Sequence, residues 1–299
     1  MVQKTFLVIV AAIITITIIA AIFSKFYTNT ITLGNNIAEI KLEGEITTGS
    51  GFLPIATANP ETLKNLIEDA NADPTVKAIL LTINSPGGSP VASDEISEAV
   101  EDSKKTIVAY ISESGASGAY WVAASADKIV AHPLSITCSI GAFTTINDLS
   151  GLFEKIGLNQ TTIKSGELKD IGTSSRSPTE KEKELFQQLI NDVNNAFVEH
   201  VQEKRNLTYS QLSQVKDGRP CLGKDAVEYG LIDKVGSKDD AVKLIEEIEG
   251  MEKSNLVEFA PQEDIFGNLF SASLQKGFYL MGRGLGDSIS LENTNLIRS

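Results

Sequence analysis

The stretch VKAILLTINSPGGSP, residues 76–90, decides the fold class of this chain. Its first eight residues form a near-continuous apolar run, which is typical of a parallel strand that is covered on both faces. The turn NSPGGSP follows at residues 84–90, and the residues from Val91 to Ser103 predict a helix. A buried strand that leads through a short turn into a helix indicates an α/β domain.

Strands and helices alternate on both sides of this stretch. Upstream, IAEIKLEGEI (residues 37–46) alternates like a strand, and NPETLKNLIEDANADP (residues 59–74) predicts a helix that Asn59 caps. Downstream, the strand TIVAYI (residues 106–111) is followed by SESGASGAYW (residues 112–121), which leads into another helix. This alternation predicts an α/β fold whose strands are joined by right-handed crossovers.

A long helix is predicted over residues 177–205. We expect Ser177 to cap it, Pro178 to occupy its first turn and Glu180 to complete a capping box. His200 lies on this helix, and we predict a surface or boundary position for it rather than a catalytic one. Apolar side chains recur at every fourth residue and predict a face buried against the domain: Leu185, Leu189, Val193, Phe197 and Val201.

The first 27 residues predict a membrane anchor. The segment between Lys4 and Lys25 carries no charge, and at ~1.5 Å per residue a helix of this length crosses a ~30 Å hydrocarbon layer. A cleaved signal peptide is the alternative, but its apolar core is typically only about 7–15 residues long, and no small-x-small cleavage site follows. We expect one uncleaved helix in the cell membrane, with the N-terminus inside and the large domain on the extracytoplasmic side.

The rest of the chain divides into a linker, a main domain and a tail. We predict a polar linker at residues 28–36, the main domain at residues 37–254 and a C-terminal tail at residues 255–299. Residues 265–285 of the tail are apolar enough to dock on a partner or on the membrane. The alternative is a flexible tail that is only partly ordered.

Composition excludes several classes of function. The chain has 26 basic and 39 acidic residues, and a net charge of −13 argues against nucleic-acid binding. Its two histidines, His132 and His200, do not have the spacing of a metal site, so we expect neither a metal nor a cofactor. Cys138 and Cys221 are too few for a disulfide framework, and we predict that they are small buried side chains.

Two glycine-containing turns have both a structural and a chemical interpretation. Pro-Gly-Gly in NSPGGSP is most commonly a simple turn, but glycines after a parallel strand can also expose backbone N–H groups that bind an oxyanion. Ser117 lies at the start of a helix, where it is either a helix cap or a nucleophile beside the Gly118 N–H. Ala119 stands where the Gly-x-Ser-x-Gly elbow has its second glycine, so that motif is absent.

A serine nucleophile needs a base, and the sequence offers two kinds. His132 and His200 are available, but neither has a glycine-lined context. A buried lysine is the other option, because burial disfavours the ammonium and leaves an amine that can accept a proton. The turn IKSGELKDIGTSS, residues 163–175, supplies Lys164 and Lys169.

Together these motifs resemble the Ser-Lys signal peptide peptidase A family, which is related in fold to Clp protease and the crotonases. The fold implied is a spiral of ββα units preceded by one transmembrane helix. The resemblance covers most of the main domain, and the matching pieces occur in this order: INSPGGSP, SGASGAYWVAASADKIVA, SITCSIGAF, IKSGELKD, SPTEKEKE and GLIDKVG.

The resemblance implies a role for each matching residue. Ser117 is the implied nucleophile, Lys169 the general base with Lys164 as a bystander, and Ser139 a serine that orients the lysine. The implied oxyanion hole combines the Gly118 N–H with one from the Gly87-Gly88 pair, of which we prefer Gly88.

Two residues depart from the family pattern. Cys138 replaces the usual glycine before Ser139, which tightens that turn but leaves the hydroxyl in place. Ala119 replaces a second glycine after Ser117, and we do not expect this small change to abolish activity.

The activity implied is that of a membrane-anchored serine endopeptidase that hydrolyses peptides through an acyl-enzyme. The implied substrates are cleaved signal peptides or other membrane-released peptides with small or apolar side chains at the cut. The implied assembly is a ring-like homo-oligomer whose neighbouring subunits complete each site. Two alternatives stay open: an endopeptidase of the same fold that cuts one membrane-protein partner, and a catalytically silent scaffold or acyl-ligand binder.

Overall fold

A computed structural model describes residues 34–49 and 57–261, together with Thr15 and Thr17. Contacts divide the chain into one unit, Met1–Phe259, and a second, Ala260–Ser299. None of the helices in the described part of the chain is long and apolar enough to cross a membrane. The predicted anchor and the predicted apolar part of the tail lie outside the described residues.

Residues 34–49 and 57–261 form ten strands and eight helices. The strands are β1 (Asn36–Glu43), β2 (Glu45–Ile46), β3 (Thr57–Ala58), β4 (Val76–Ser85), β5 (Thr106–Gly115), β6 (Lys128–Ala131), β7 (Ile136–Cys138), β8 (Pro220–Leu222), β9 (Lys234–Val235) and β10 (Asn255–Phe259). The helices are α1 (Pro60–Ala72), α2 (Pro90–Glu101), α3 (Gly118–Ala124), α4 (Ser150–Lys155), α5 (Glu180–Arg205), α6 (Tyr209–Leu212), α7 (Gly223–Ala226) and α8 (Lys238–Glu249).

The main sheet is parallel and has the order β10-β1-β4-β5-β6-β9. β7 pairs in parallel with the end of β5, at Ser114, and antiparallel with β8, while β2 and β3 form a separate parallel pair. Ser85, the last residue of β4, is in register with Gly115, the last residue of β5. The turns that follow these two strands therefore lie side by side at the carboxyl edge of the sheet, where α/β proteins place their sites.

The sheet is covered on both faces, as the apolar run of β4 predicts. Ile79 and Leu81 point into the larger core, which α1, α2, α3 and α5 cover. Leu80, between them, points to the opposite face and packs in the smaller core with Ile245 of α8. Helix α1 begins after Asn59, whose side chain accepts the Thr62 N–H, so the predicted cap is confirmed.

The start of the long helix α5 differs from the prediction. Thr179, not Ser177, is the N-cap, and its hydroxyl accepts the Glu182 N–H at 3.3 Å while the Glu182 carboxylate accepts the Thr179 N–H at 2.8 Å. The Ser177 hydroxyl instead donates to Asp148. Of the predicted apolar face, Phe197 and Val201 are buried, but Leu189 is 53% exposed because only the later turns of α5 pack on α3.

The prediction of two separate buried cysteines was wrong. Cys138 at the end of β7 and Cys221 in β8 form a disulfide, with their Cα atoms 5.5 Å apart. The antiparallel pairing of these strands places Cys221 opposite Thr137 and thus beside Cys138. The two cysteines are 83 residues apart in the chain, so their spacing gave no signal for this pairing.

The main sheet continues past the predicted domain boundary at residue 254. Residues 255–259 form β10, which pairs in parallel with β1 along five residues from Asn36. Lys41 and Glu258 add an ion pair at 2.8 Å across these two strands. The first five residues of the predicted tail are therefore part of the sheet.

Candidate active site

The turns after β4 and β5 approach each other so closely that glycine is required. A Cβ atom added to Gly87 would lie 2.6 Å from the Gly118 nitrogen, and one added to Gly118 would lie 3.2 Å from the Gly88 nitrogen. On its other side, Gly88 packs directly against the backbone of Ile46, and a Cβ atom added to Gly88 would lie 2.1 Å from the Ile46 oxygen. The two turns thus form a single block of backbone at the sheet edge.

Ser117 occupies the corner of this block in an uncommon backbone conformation. Its φ of 53° lies in the left-handed region, which a residue with a side chain seldom adopts. The conformation is held by the Ser117 N–H, which donates to the Cys138 carbonyl at 3.0 Å, and by the Ser117 carbonyl, which accepts the Tyr120 and Trp121 N–H groups. The side chain does not cap α3, so the structure does not use Ser117 as the helix cap that the sequence left open.

Two backbone N–H groups beside Ser117 are available to a ligand. The Gly87 N–H donates to the Ser85 hydroxyl at 3.1 Å and is therefore occupied. The N–H groups of Gly88 and Gly118 have no acceptor among the residues that the structure describes. This difference favours Gly88 over Gly87 as the partner of Gly118 in an oxyanion hole.

Ser139 lies in the same cleft as Ser117. The cleft has a volume of about 730 Å³, and both serines line it together with Gln187 and Asn191 of α5. Ser139 also has a left-handed φ, 54°, and its N–H donates to the Arg219 carbonyl at 2.9 Å. The cleft is therefore walled by the glycine turns on one side and by the long helix on the other.

A small apolar pocket adjoins Ser117. Its volume is about 120 Å³, and its side-chain lining includes Trp121, Val193 and Phe197. The Trp121 ring stacks on Phe197 and on His200, with ring centroids 4.9 Å and 4.8 Å apart. His200 also hydrogen-bonds the Trp121 carbonyl through Nε2 at 3.1 Å, and its burial lowers its pKa. His200 thus supports the tryptophan from a half-buried position.

Lys169 is not brought to this cleft in a single chain. It is exposed, on a segment of residues 143–178 that we call the arm, and it is not among the residues that line the cleft. Lys164, five residues earlier, pairs with Asp170 at 2.6 Å and donates to the Glu167 carbonyl. The structure thus brings together Ser117, Ser139 and the two glycine donors, and leaves the predicted base outside.

The base of the arm is fixed by an ion network that the sequence did not reveal. Arg176 makes two hydrogen bonds to Asp170, at 3.2 and 3.0 Å, and two to Glu182, at 2.9 and 2.6 Å. Its guanidinium is the main cause that lowers the pKa of Glu182 to about 2 and also lowers the pKa of Asp170. Because Asp170 follows Lys169 directly, this network fixes the backbone next to the lysine. The only sequence signal was the spacing of six residues between the three charges.

The arm also exposes apolar side chains. Its helix α4 contains no buried residue, and Ile163 is 96% exposed. The other exposed apolar residues of the arm are Phe143, Leu149, Leu152, Ile156 and Leu158. Soluble monomers seldom expose a large apolar patch, so this surface is suited to contact another protein.

Several comparisons with known proteins indicate one class of protein, the peptidases. The model of Peptidase family S49 matches residues 99–252. A candidate protease of Methanocaldococcus jannaschii is 38% identical over 260 residues, which are 85% of this chain and 83% of that protein. The chloroplastic serine protease SPPA of Arabidopsis thaliana is 34% identical over 217 residues, which are 70% of this chain but only 32% of that protein.

A solved structure shows the same fold. A variant of a membrane-bound stomatin-specific protease superposes with a TM-score of 0.50 over 77% of this chain and 99% of that one, at 15% identity. This likeness confirms the predicted α/β fold class, which is that of Clp protease and the crotonases.

The contact between Gly118 and Ser93 gives a first prediction. Gly118→Ala should destabilise the protein by about 1–3 kcal/mol, because the new Cβ would lie 2.3 Å from the Ser93 Oγ. In a Ser93→Ala background that oxygen is gone, so the same change should cost much less. Urea unfolding of the single and double variants measures the difference, and equal costs in both backgrounds would contradict the packing described here.

The ion pair of Glu182 gives a prediction about pH. Its pKa is about 2 in the folded state against 4.5 for the free side chain, so the stability it confers is complete above about pH 4.5 and is lost as the pH falls toward 2. Glu182→Gln should therefore be less stable than the wild type at pH 6, and the gap should narrow toward pH 3. Glu184→Gln, an exposed change on the same helix, is the control, and a gap independent of pH would refute this explanation.

Proposed function

Because this chain belongs to peptidase family S49, the family of the signal peptide peptidase A proteins, it is a serine-type peptidase, and we propose that Ser117 is its nucleophile and Lys169 its general base. The observation that carries the proposal is the position of Ser117. Its hydroxyl does not cap α3, and it lies in an open cleft beside two backbone donors that have no acceptor among the described residues. A catalytically silent scaffold, one of the alternatives left open by the sequence, does not fit membership of a peptidase family.

The proposed reaction is amide hydrolysis through an acyl-enzyme. The Lys169 amine accepts the proton of the Ser117 hydroxyl as the serine oxygen attacks the scissile carbonyl. The N–H groups of Gly88 and Gly118 hold the resulting oxyanion, and one such donor is typically worth ~2.7–4 kcal/mol of transition-state stabilisation. Lys169 then donates its proton to the leaving amine and activates the water that releases the acyl group, while Ser139 orients the lysine.

We propose that Lys169 reaches Ser117 from a neighbouring copy of the chain in a homo-oligomer. Two observations support this. Lys169 is exposed and does not line the cleft of its own chain, and the arm that carries it presents an apolar surface. If the arm docked on a second copy of the chain, its apolar side chains would be buried in the interface. Lys169 would then lie close to the cleft of that second copy.

The proposed substrates are extended peptides with small or apolar side chains at the cut. The pocket of about 120 Å³ beside Ser117 supports this, because its ring-lined walls suit an aliphatic side chain. By family, cleaved signal peptides or other membrane-released peptides meet this description. A cleavage-site profile separates them from the alternative, since cuts confined to one membrane-protein partner would overturn the signal-peptide assignment.

We propose that the chain is held at the cell membrane by its first 27 residues, with the peptidase domain on the extracytoplasmic side. The apolar N-terminal segment supports the anchor. The Cys138–Cys221 disulfide supports the side of the membrane, because such bonds persist mainly in oxidising compartments.

The catalytic pair is tested with the full-length protein in detergent and a fluorogenic peptide. Ser117→Ala and Lys169→Ala should each lower kcat by about 1,000-fold or more, whereas Lys164→Ala should keep most of the activity. Co-assembly of the two inactive variants should restore about a quarter of the wild-type activity, since that fraction of random interfaces joins an intact serine to an intact lysine.

The outcomes of this experiment separate the two parts of the proposal. If either single variant keeps the wild-type turnover, the Ser117–Lys169 pair is wrong. If both are inactive and co-assembly restores nothing, the pair stands but the base comes from the same copy.

The pocket predicts a change of specificity at Val193, which lines it from α5. Val193→Phe should fill the pocket and lower kcat/KM for a peptide with leucine at the cut by roughly tenfold relative to alanine. Val193→Ala should shift the ratio in the opposite direction. Leu189→Ala, an exposed change on the same helix, is the control, and an unchanged leucine-to-alanine ratio in both Val193 variants would show that this pocket does not bind the side chain.

A further inference from the structure

We propose that the Cys138–Cys221 disulfide positions the catalytic serine, by holding the turn at Cys138 in the conformation that Ser117 requires. The inference rests on the proposed role of Ser117. It assigns a task to two residues that do not themselves touch the reacting atoms, so both are positioning residues.

Cys138 contacts the nucleophile turn through its backbone. Its carbonyl accepts the Ser117 N–H at 3.0 Å, and this is the one hydrogen bond that the N–H donates in the described part of the chain. The next residue, Ser139, lines the cleft with Ser117. A rotation of the peptide group between Cys138 and Ser139 would therefore disturb both serines together.

The backbone at this point is held in an unfavourable conformation. Cys138 has a φ of 64° and Ser139 a φ of 54°, so two consecutive residues with side chains lie in the left-handed region. For L-residues this region is disfavoured, because the Cβ atom crowds the following carbonyl oxygen. A free Cys138 would gain by returning to negative φ, and its carbonyl would then turn away from the Ser117 N–H.

The disulfide is suited to prevent this return. It joins Cys138, which is fully buried, to Cys221 on β8, the strand that runs antiparallel to β7. β7 and β8 have only three residues each, so their ladder is short. The bond therefore adds a covalent link at the end of a short ladder, directly beside the strained turn.

Loss of the bond should act mainly on kcat. Displacement of a catalytic group by about 1 Å can cost roughly 100-fold in rate. The cleft is also lined by Gln187 and Asn191 of α5, which lie outside the disulfide strands, so we expect substrate binding to change less. Reduction by a dithiol is one route: dithiothreitol gives two electrons and two protons to the S–S bond, which becomes two thiols, and is itself oxidised to its cyclic disulfide. The chain has no other cysteine, so no other bond responds.

The test compares two full-length double variants in detergent that both lack the disulfide. Cys138→Ser/Cys221→Ser keeps a side chain at position 138, and its kcat should fall by roughly 10- to 100-fold, with KM changed less. Cys138→Gly/Cys221→Ser should keep kcat within about threefold of the wild type, because glycine adopts positive φ without steric cost. The wild type treated with dithiothreitol should behave like the serine variant and recover on reoxidation.

Each other outcome overturns the inference. An equal loss in both double variants would show that the backbone conformation at Cys138 is not what the bond maintains. Wild-type kcat in the serine variant would show that the bond has no positioning role. If both double variants fail to fold, the reduced wild type is the deciding measurement. An unchanged kcat after complete reduction, confirmed by a thiol count, would then overturn the inference.

Ser117→Ala is measured beside these variants. If it is inactive while the disulfide variants are unaffected, only the positioning inference fails. If it remains active, the proposed nucleophile is wrong, and the inference fails with it.

Discussion

The close approach of two backbone turns is the constraint on which the rest of the structure depends. The register that places Ser85 beside Gly115 brings the turn after β4 against the turn after β5, with no space for a side chain at the contact. The long apolar strands fix that register, because a shift by one residue would exchange the two faces of each strand. The site is thus a consequence of how the core is packed.

In the proposed reaction, main-chain atoms form most of the site around Ser117. The two donors are N–H groups of glycines, and Ser117 is held in place by hydrogen bonds of its own backbone. Side chains surround these backbone groups: Trp121 lines the small pocket, and Arg176 fixes the base of the arm through its hydrogen bonds to Asp170 and Glu182. If Ser117 is the nucleophile, this arrangement places preorganised dipoles where negative charge would develop, and such dipoles make the largest single contribution to catalysis in many enzymes.

The sequence was informative where the signal is local. The apolar run of β4, the cap at Asn59 and the glycine turns depend on residues within a few positions of each other, and the structure contains each of them. The motif resemblance added the family, which the comparisons confirm. For Ser117, the local sequence alone left a helix cap and a nucleophile open, and the structure shows that its side chain does not cap the helix.

The features that the sequence missed depend on distant or competing partners. The Cys138–Cys221 bond joins positions 83 residues apart, and β10 pairs with the first strand of the sheet from the far end of the domain. The cap of α5 moved from Ser177 to Thr179 because Asp148, from the arm, takes the Ser177 hydroxyl. No local pattern encodes these choices, because each is decided by what the folded chain places nearby.

The separation of Ser117 from Lys169 within one chain has a consequence for when the protein becomes active. If a second copy supplies the lysine, a newly made chain contains both Ser117 and Lys169 but has no complete active site. Activity would then depend on local concentration, and confinement to a surface would raise that concentration for the assembled form alone. A stray monomer would be harmless to its surroundings without any inhibitor or propeptide.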